Sequence, residues 1–324
     1  MYGISTRFVL ACLVIFAPGC KHRQAPVPAD EAPAVRAEFP ISEKFPIVLP
    51  ARLDNAECRF ILDTGCSVTS FNDTFKDRLG KYLETQTSSG AMWQKVPIDF
   101  HEIPRDSGLK IGPFNLVGKV GVTDYGNFGA WVDEYDGLLG IDFMEQFIVR
   151  LDFEDNLLLF LKPDAEPAAE WGAPFDLQLD GGTPHLAVQL TETISELFMI
   201  DTAAPRIHLT QDKFERLIHE LHGDTDYVRR QITADTKNLS GVVLKDFRLG
   251  PLTYERLRIT EYPRSFLGME FLRKYAVVTF DFPRKKLYLK KEAPQSPASS
   301  SQPPRHGDRW TAPEGRHAPD PNDQ

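Results

Sequence analysis

The chain has 324 residues, and its 37 Lys and Arg against 46 Asp and Glu leave a formal charge of −9. That length suits two domains of about 100–200 residues each, and 42% hydrophobic residues are too many for a wholly disordered chain and too dispersed for a multi-span membrane protein. The acidic balance argues against a sequence-independent nucleic-acid binder, and no phosphate-cradling GxxxxGK or dinucleotide GxGxxG segment follows a strand, which removes kinases and nucleotide-driven motors.

Residues 1–20 read as a targeting segment. Arg7 closes a short positive region, and Phe8 to Ala17 is an apolar run too short to span a bilayer as a mature helix. The run stops at Ala17-Pro18-Gly19-Cys20, which resembles a bacterial lipoprotein processing box with Cys20 as the lipidated residue. Pro18 departs from that box, so simple secretion or an uncleaved anchor stays open. Residues 21–40 are Pro- and Ala-rich and are expected to form a disordered tether.

A first half, 41–163, begins with a predicted hairpin: Phe45 to Leu53, a turn at Asp54-Asn55, and a return over Cys58 to Leu62. A short strand over Val68 to Phe71 follows. Next comes a predicted helix capped by Asn72, with Phe75, Leu79 and Leu83 on its buried face. Gly112-Pro113 is a turn between strands. A linker, 164–174, leads to a second half, 175–291, with the same order: strands over Leu186 to Leu190, Leu197 to Ile200 and Arg206 to Leu209. Its helix is capped by Thr210 and buries Phe214, Leu217, Ile218 and Leu221; a turn at Gly250-Pro251 comes later. The Pro-rich tail, 292–324, is expected to be disordered. Cys58 and Cys66 flank a strand end, too far apart to favour a disulfide, and are expected to be two buried thiols. A pairing outside the cytosol remains the alternative.

The two halves echo each other in sequence. Phe60-Ile61-Leu62-Asp63-Thr64-Gly65 is answered by Phe198-Met199-Ile200-Asp201-Thr202-Ala203, and Lys110-Ile111-Gly112-Pro113 by Arg248-Leu249-Gly250-Pro251. Leu139-Gly140-Ile141-Asp142-Phe143-Met144 is answered by Leu267-Gly268-Met269-Glu270-Phe271-Leu272, and Leu151-Asp152-Phe153 by Phe280-Asp281-Phe282. One Asp-Thr-Gly after an apolar strand is ordinary turn chemistry. Two matched copies are not. A pseudo-two-fold arrangement would bring both carboxyls to the interface of the halves, where like charges cannot both ionise. Such a pair shares a proton, activates a water and protonates a leaving group.

Over 43–291 the chain resembles the pepsin and retropepsin superfamily of aspartic proteases, on Ile61-Leu62-Asp63-Thr64-Gly65-Cys66-Ser67 and on Asp136-Gly137-Leu138-Leu139-Gly140. The resemblance implies an all-β, two-lobed acid-protease fold with a pseudo-two-fold axis and one or two short helices per lobe. It also implies endopeptidase activity by water attack, without metal, cofactor or covalent intermediate. Asp63 and Asp201 would be the catalytic dyad. Thr64 and Thr202 would lock the two loops through hydroxyl-to-backbone hydrogen bonds, Gly65 would donate its N–H to Asp63, and Ser67 would hold the outer oxygen of Asp63. In the second half Ala203 replaces the usual Gly, and Pro205 stands where the first half has Ser67. Ala203 keeps its N–H but would be strained if the position required a positive φ. A substrate-covering flap would have its tip at Ser88 to Trp93, with Gly90, Met92 and Trp93; an exposed loop with one core Trp is the alternative.

Other constellations are weaker. His219-Glu220-Leu221-His222 is not HExxH and has no evident third ligand. No GxSxG elbow occurs, and Cys66 has no His partner by motif. Lys285-Lys286 and Lys290-Lys291 read as charges guarding a strand edge. The expectation is therefore a monomeric, envelope-side aspartic endopeptidase. It would take peptide or protein substrates, touch the membrane through a lipid anchor at most, and bind no nucleic acid. A catalytically weak, peptide-binding protein of the same fold is the alternative.

Overall fold

The structure is a computed structural model that describes residues 34–89, 95–103, 108–128, 134–221, 226–227, 230–232, 237–239, 241–249 and 252–291. The targeting segment with Cys20, the proposed flap tip (Gly90, Met92 and Trp93), Gly250-Pro251 and the tail lie outside the described residues.

The first hairpin forms where alternating apolar residues place it. Val48–Leu53 pairs antiparallel with Ala56–Leu62, from Leu53 opposite Ala56 to Val48 opposite Ile61. The chain turns through Asp54 at φ 54°, a conformation Asp tolerates better than most residues. In the second half, Thr183–Gln189 pairs in the same way with Ser195–Ile200. A short strand then lies parallel beside each inner strand: Gly137–Leu139 beside Ala56–Leu62, and Phe266–Leu267 beside Ser195–Ile200. Each also pairs antiparallel with the strand that follows the Asp-Thr turn, Ser70–Asn72 or Ile207–Leu209. Those in turn run parallel to Gly118–Thr123 and Leu252–Glu261. One pairing scheme thus serves a nine-stranded sheet drawn from residues 48–139 and an eight-stranded sheet drawn from 178–267.

A third, six-stranded sheet takes strands from both halves. At its centre Ile148–Asp152 pairs with Tyr275–Asp281, Leu151 facing Val278. Every residue of Tyr275–Asp281 is buried, as expected of a central strand flanked on both sides. The molecule is predominantly β, with a 3-10 helix at Asp73–Arg78 and a ten-residue α-helix at Gln211–Glu220 as the matching helical turns of the two halves.

Several expectations are corrected. The end of the supposed tether, Val35 to Pro40, is a strand paired with Leu157–Leu161, because Ala37 and Phe39 alternate into the core; residues 21–33 lie outside the described residues. The linker 164–174 holds a 3-10 turn, Ala169–Trp171, with Trp171 buried against Tyr288, and the strand Ala173–Asp176 begins within it. The first helix stops early. Gly80 donates to the Glu102 carbonyl at 2.8 Å and pulls the chain into the strand Tyr82–Ser89, leaving Leu83 exposed. The strand Lys286–Lys291 is not an edge, since Ala173–Asp176 covers it; Lys286 pairs with Asp176 and Lys290 with Glu154. Cys58 and Cys66 are both free thiols, Cys58 buried and Cys66 only half-buried.

Candidate active site

Two strands of matched topology end at the same place. Ala56–Leu62 and Ser195–Ile200 each run straight into an aspartate. The backbone N–H of Asp63 donates to the Leu139 carbonyl at 3.1 Å, and that of Asp201 to Leu267 at 3.1 Å. Each turn closes alike, with Cys66 N–H to the Asp63 carbonyl and Ala204 N–H to the Asp201 carbonyl, both at 3.3 Å. The carboxylates are held alike as well: Gly65 N–H donates to Asp63 Oδ1 at 2.8 Å, and Ala203 N–H to Asp201 Oδ1 at 2.8 Å.

Thr64 and Thr202, both wholly buried, tie the turns together. The Thr64 hydroxyl donates to the Ile200 carbonyl at 2.7 Å and accepts the Thr202 N–H at 3.0 Å. The Thr202 hydroxyl donates to Leu62 at 2.6 Å and accepts the Thr64 N–H at 3.0 Å. All four buried polar groups are satisfied, so each loop fixes the position of the other.

The two carboxyls are near enough to interact directly. Burial, then the Asp201 charge, raises the Asp63 pKa well above the usual carboxylate range. Asp201 is also raised, by burial, and its hydrogen bonds from Ala203 and Ala204 oppose the shift. Both carboxyls are therefore held above the usual range, one proton is shared between them, and they titrate as a unit.

The pair opens on a cleft of about 800 Å³. On the first-half side Gln86, Thr87 and Ser88 of one strand and Ile98 and Phe100 of its antiparallel partner line it. The second half contributes Met199, Leu197 and Phe266 among others.

The sequence-predicted residues Asp63, Asp201, Thr64, Thr202, Gly65 and Ala203 are brought together; Ser67 is not in its expected role. It lines the cleft, exposed, and its side chain makes no hydrogen bond to Asp63, because the turn aims it across at Gly182. Ala203 has no positive φ, so its methyl is unstrained, and it packs with Ile61, Tyr125 and Leu138. Pro205 keeps the carbonyl role of Ser67: Ser67 accepts from Asp142 at 3.3 Å, Pro205 from Glu270 at 3.1 Å. Gly140 and Gly268 are tight: a Cβ would lie 2.5 Å from the Val68 backbone in one and 2.3 Å from the Ala204 carbonyl in the other. That explains the repeated Leu-Gly.

Sequence reasoning missed two supports. Asp142 Oδ1 accepts the Thr69 N–H at 2.8 Å, the Thr69 hydroxyl at 2.6 Å and the Phe143 N–H at 2.9 Å, bracing the corner beside Asp63. Tyr125, fully buried, donates to the Ser70 carbonyl at 2.7 Å. Asp142 stood inside a repeated block but carried no signal of its partner; Tyr125 had none at all.

Cys66 donates its thiol to the Val68 carbonyl at 3.1 Å, and burial followed by the Asp63 charge pushes its pKa far up, so it stays a thiol. Among the described residues no three His, Cys, Asp or Glu side chains converge to hold a metal. His222 lies outside the described residues, and no described helix is long and apolar enough to cross a membrane. No protein-family model and no curated protein matches the chain.

Proposed function

We propose that the chain is an aspartic endopeptidase with the two-lobed, pseudo-two-fold acid-protease fold of the pepsin and retropepsin superfamily. The observation that carries this is the reciprocal Thr64–Thr202 lock, which holds the buried Asp63 and half-buried Asp201 carboxyls beside each other in a cleft large enough for a peptide.

In this reading one carboxyl of the Asp63–Asp201 pair holds the shared proton, and the other, ionised, takes a proton from a water lying between them. The water oxygen bonds to the scissile carbonyl carbon, and the proton of the protonated carboxyl passes to the carbonyl oxygen. Collapse of the tetrahedral intermediate returns that proton to the pair, breaks the C–N bond and delivers a proton to the leaving amine. Gly65 and Ala203 N–H groups keep one oxygen of each carboxylate fixed while this happens. The peptide-binding, catalytically weak alternative rests on Ala203 and Pro205 in the second half. The Ala203 N–H makes the same 2.8 Å bond as Gly65, and Pro205 keeps the carbonyl bond of Ser67, which favours the enzyme reading.

Residues 1–20 support placement on the envelope side, with Cys20 as a lipid attachment site, on their sequence alone. Hydrolysis of a mixed peptide pool between about pH 3 and 7, with and without a statine-type transition-state mimic, tests the activity. Cleavage blocked by the mimic is expected; no cleavage at any pH would refute it.

A further inference from the structure

The two halves of the cleft are chemically unequal. By the register of the repeat, Glu196 of the second half stands where the first half has Cys58, a buried core side chain. A carboxylate in place of a core thiol costs solvation unless something repays it. Glu196 is half-buried and lines the cleft. Its Oε1 accepts the Ser265 hydroxyl at 2.6 Å, and Ser265 Oγ in turn accepts the Thr210 N–H at 3.1 Å. The carboxylate is thus held in place by neutral groups, and no ion pair joins it among the described residues. The same wall presents Leu197, Met199, Pro263 and Phe266 to the cleft. An anchored carboxylate beside apolar surface matches a long cationic side chain, whose methylenes pack while its charge is paired.

We infer that this wall is a specificity subsite for a lysine or arginine side chain of the peptide, bound by Glu196. The inference rests on the peptide-hydrolase reading for its substrate class. Glu196 precedes Asp201 by five strand residues, about 17 Å at the usual rise, so the cation lies several residues from the cleaved bond. Arg264 shares the wall and would reward the opposite charge, and Asp180 at the rim adds to the acidic side.

The test uses the full chain and an extended peptide with an apolar centre, in which Lys, Arg, norleucine and Glu are walked through each flanking position. Cleavage is read as kcat/KM in the active protein, and binding by fluorescence anisotropy in the Asp201→Asn protein. Lys or Arg is expected to exceed norleucine at one position on the order of tenfold, the scale of a charge-assisted hydrogen bond. The preference is expected to shrink in high salt and to vanish in Glu196→Gln, which keeps an acceptor for Ser265. Absence of a Lys or Arg preference at every position, a preference that survives Glu196→Gln, or a preference for Glu overturns the inference. Cleavage without any cationic preference leaves the hydrolase standing and removes the subsite. Glu196-dependent binding of Lys peptides with no cleavage does the reverse.

Discussion

Thr64 and Thr202 hold each other. Each hydroxyl accepts the other's backbone N–H at 3.0 Å and donates to the carbonyl that ends the opposite strand, at Ile200 or at Leu62. The bond partners are 138 and 140 or 136 positions apart in sequence, so one contact both joins the halves and sets the distance between the two aspartates.

Thr202→Val keeps the shape of the side chain and deletes the hydroxyl. The Thr64 N–H and the Leu62 carbonyl are then buried without that partner, at a cost of about 2–4 kcal/mol. Urea unfolding measures the loss, and Thr202→Ser is expected to recover most of it. A Val variant as stable as wild type would mean that the lock contributes nothing.

Gly65 and Ala203 are matched in sequence and in their bonds but not in the room beside them. A Cβ on Gly65 would sit 2.6 Å from Asp201 Cγ, whereas the Ala203 methyl already packs without strain. Gly65→Ala is therefore expected to displace Asp201 and lower kcat at least about tenfold, the cost of a small misplacement at the reacting centre. Ala203→Gly should change stability by no more than about 1 kcal/mol. Equal effects of the two on peptide hydrolysis would contradict this asymmetry.

Both dyad carboxyls have folded-state pKa values raised above their unfolded ones, by burial first. Such a group costs the fold nothing below its unfolded pKa and destabilises it increasingly as pH rises through the folded value. Asp63→Asn removes that cost. The variant is expected to exceed wild type in stability by about 1–3 kcal/mol near pH 7 and by little near pH 4. Urea denaturation at the two pH values decides it; a gain of equal size at both would show that charge burial is not its source.

Asp142 gathers three donors on one oxygen behind the Leu139-Gly140 corner, and burial raises its pKa. Asp142→Ala strands the Thr69 N–H and hydroxyl. It should cost about 2–4 kcal/mol, and because Leu139 holds the Asp63 N–H, kcat is expected to fall further than the loss of folded protein explains. Thr69→Ser, which keeps both donors, is the control for packing.

The sequence made the repeat legible because its signals are local: an apolar strand into Asp-Thr, a Leu-Gly corner, a Gly-Pro turn. Each recurs in the sequence of both halves, and together they single out Asp63, Asp201, Thr64 and Thr202. What failed was decided by distant neighbours. Phe75, Leu79 and Leu83 have helical spacing, yet the Gly80 bond to Glu102 ends the helix and sends Leu83 into a strand. Val35–Pro40 looked like a tether because of its composition, while the period-two burial of Ala37 and Phe39 needed the partner strand Leu157–Leu161 to acquire meaning. Tyr125 and the Thr69–Asp142 brace join segments 55 and 73 positions apart, which no local pattern encodes.

The central claim is that one chain supplies both halves of a proton-sharing pair. The direct measurement is peptide cleavage by purified, monomeric wild type, Asp63→Asn and Asp201→Asn across the acidic pH range. A bell-shaped profile in wild type, with activity abolished in both variants, is the predicted result. Activity retained in Asp201→Asn but lost in Asp63→Asn would contradict it, since the second carboxyl would then have to come from another molecule.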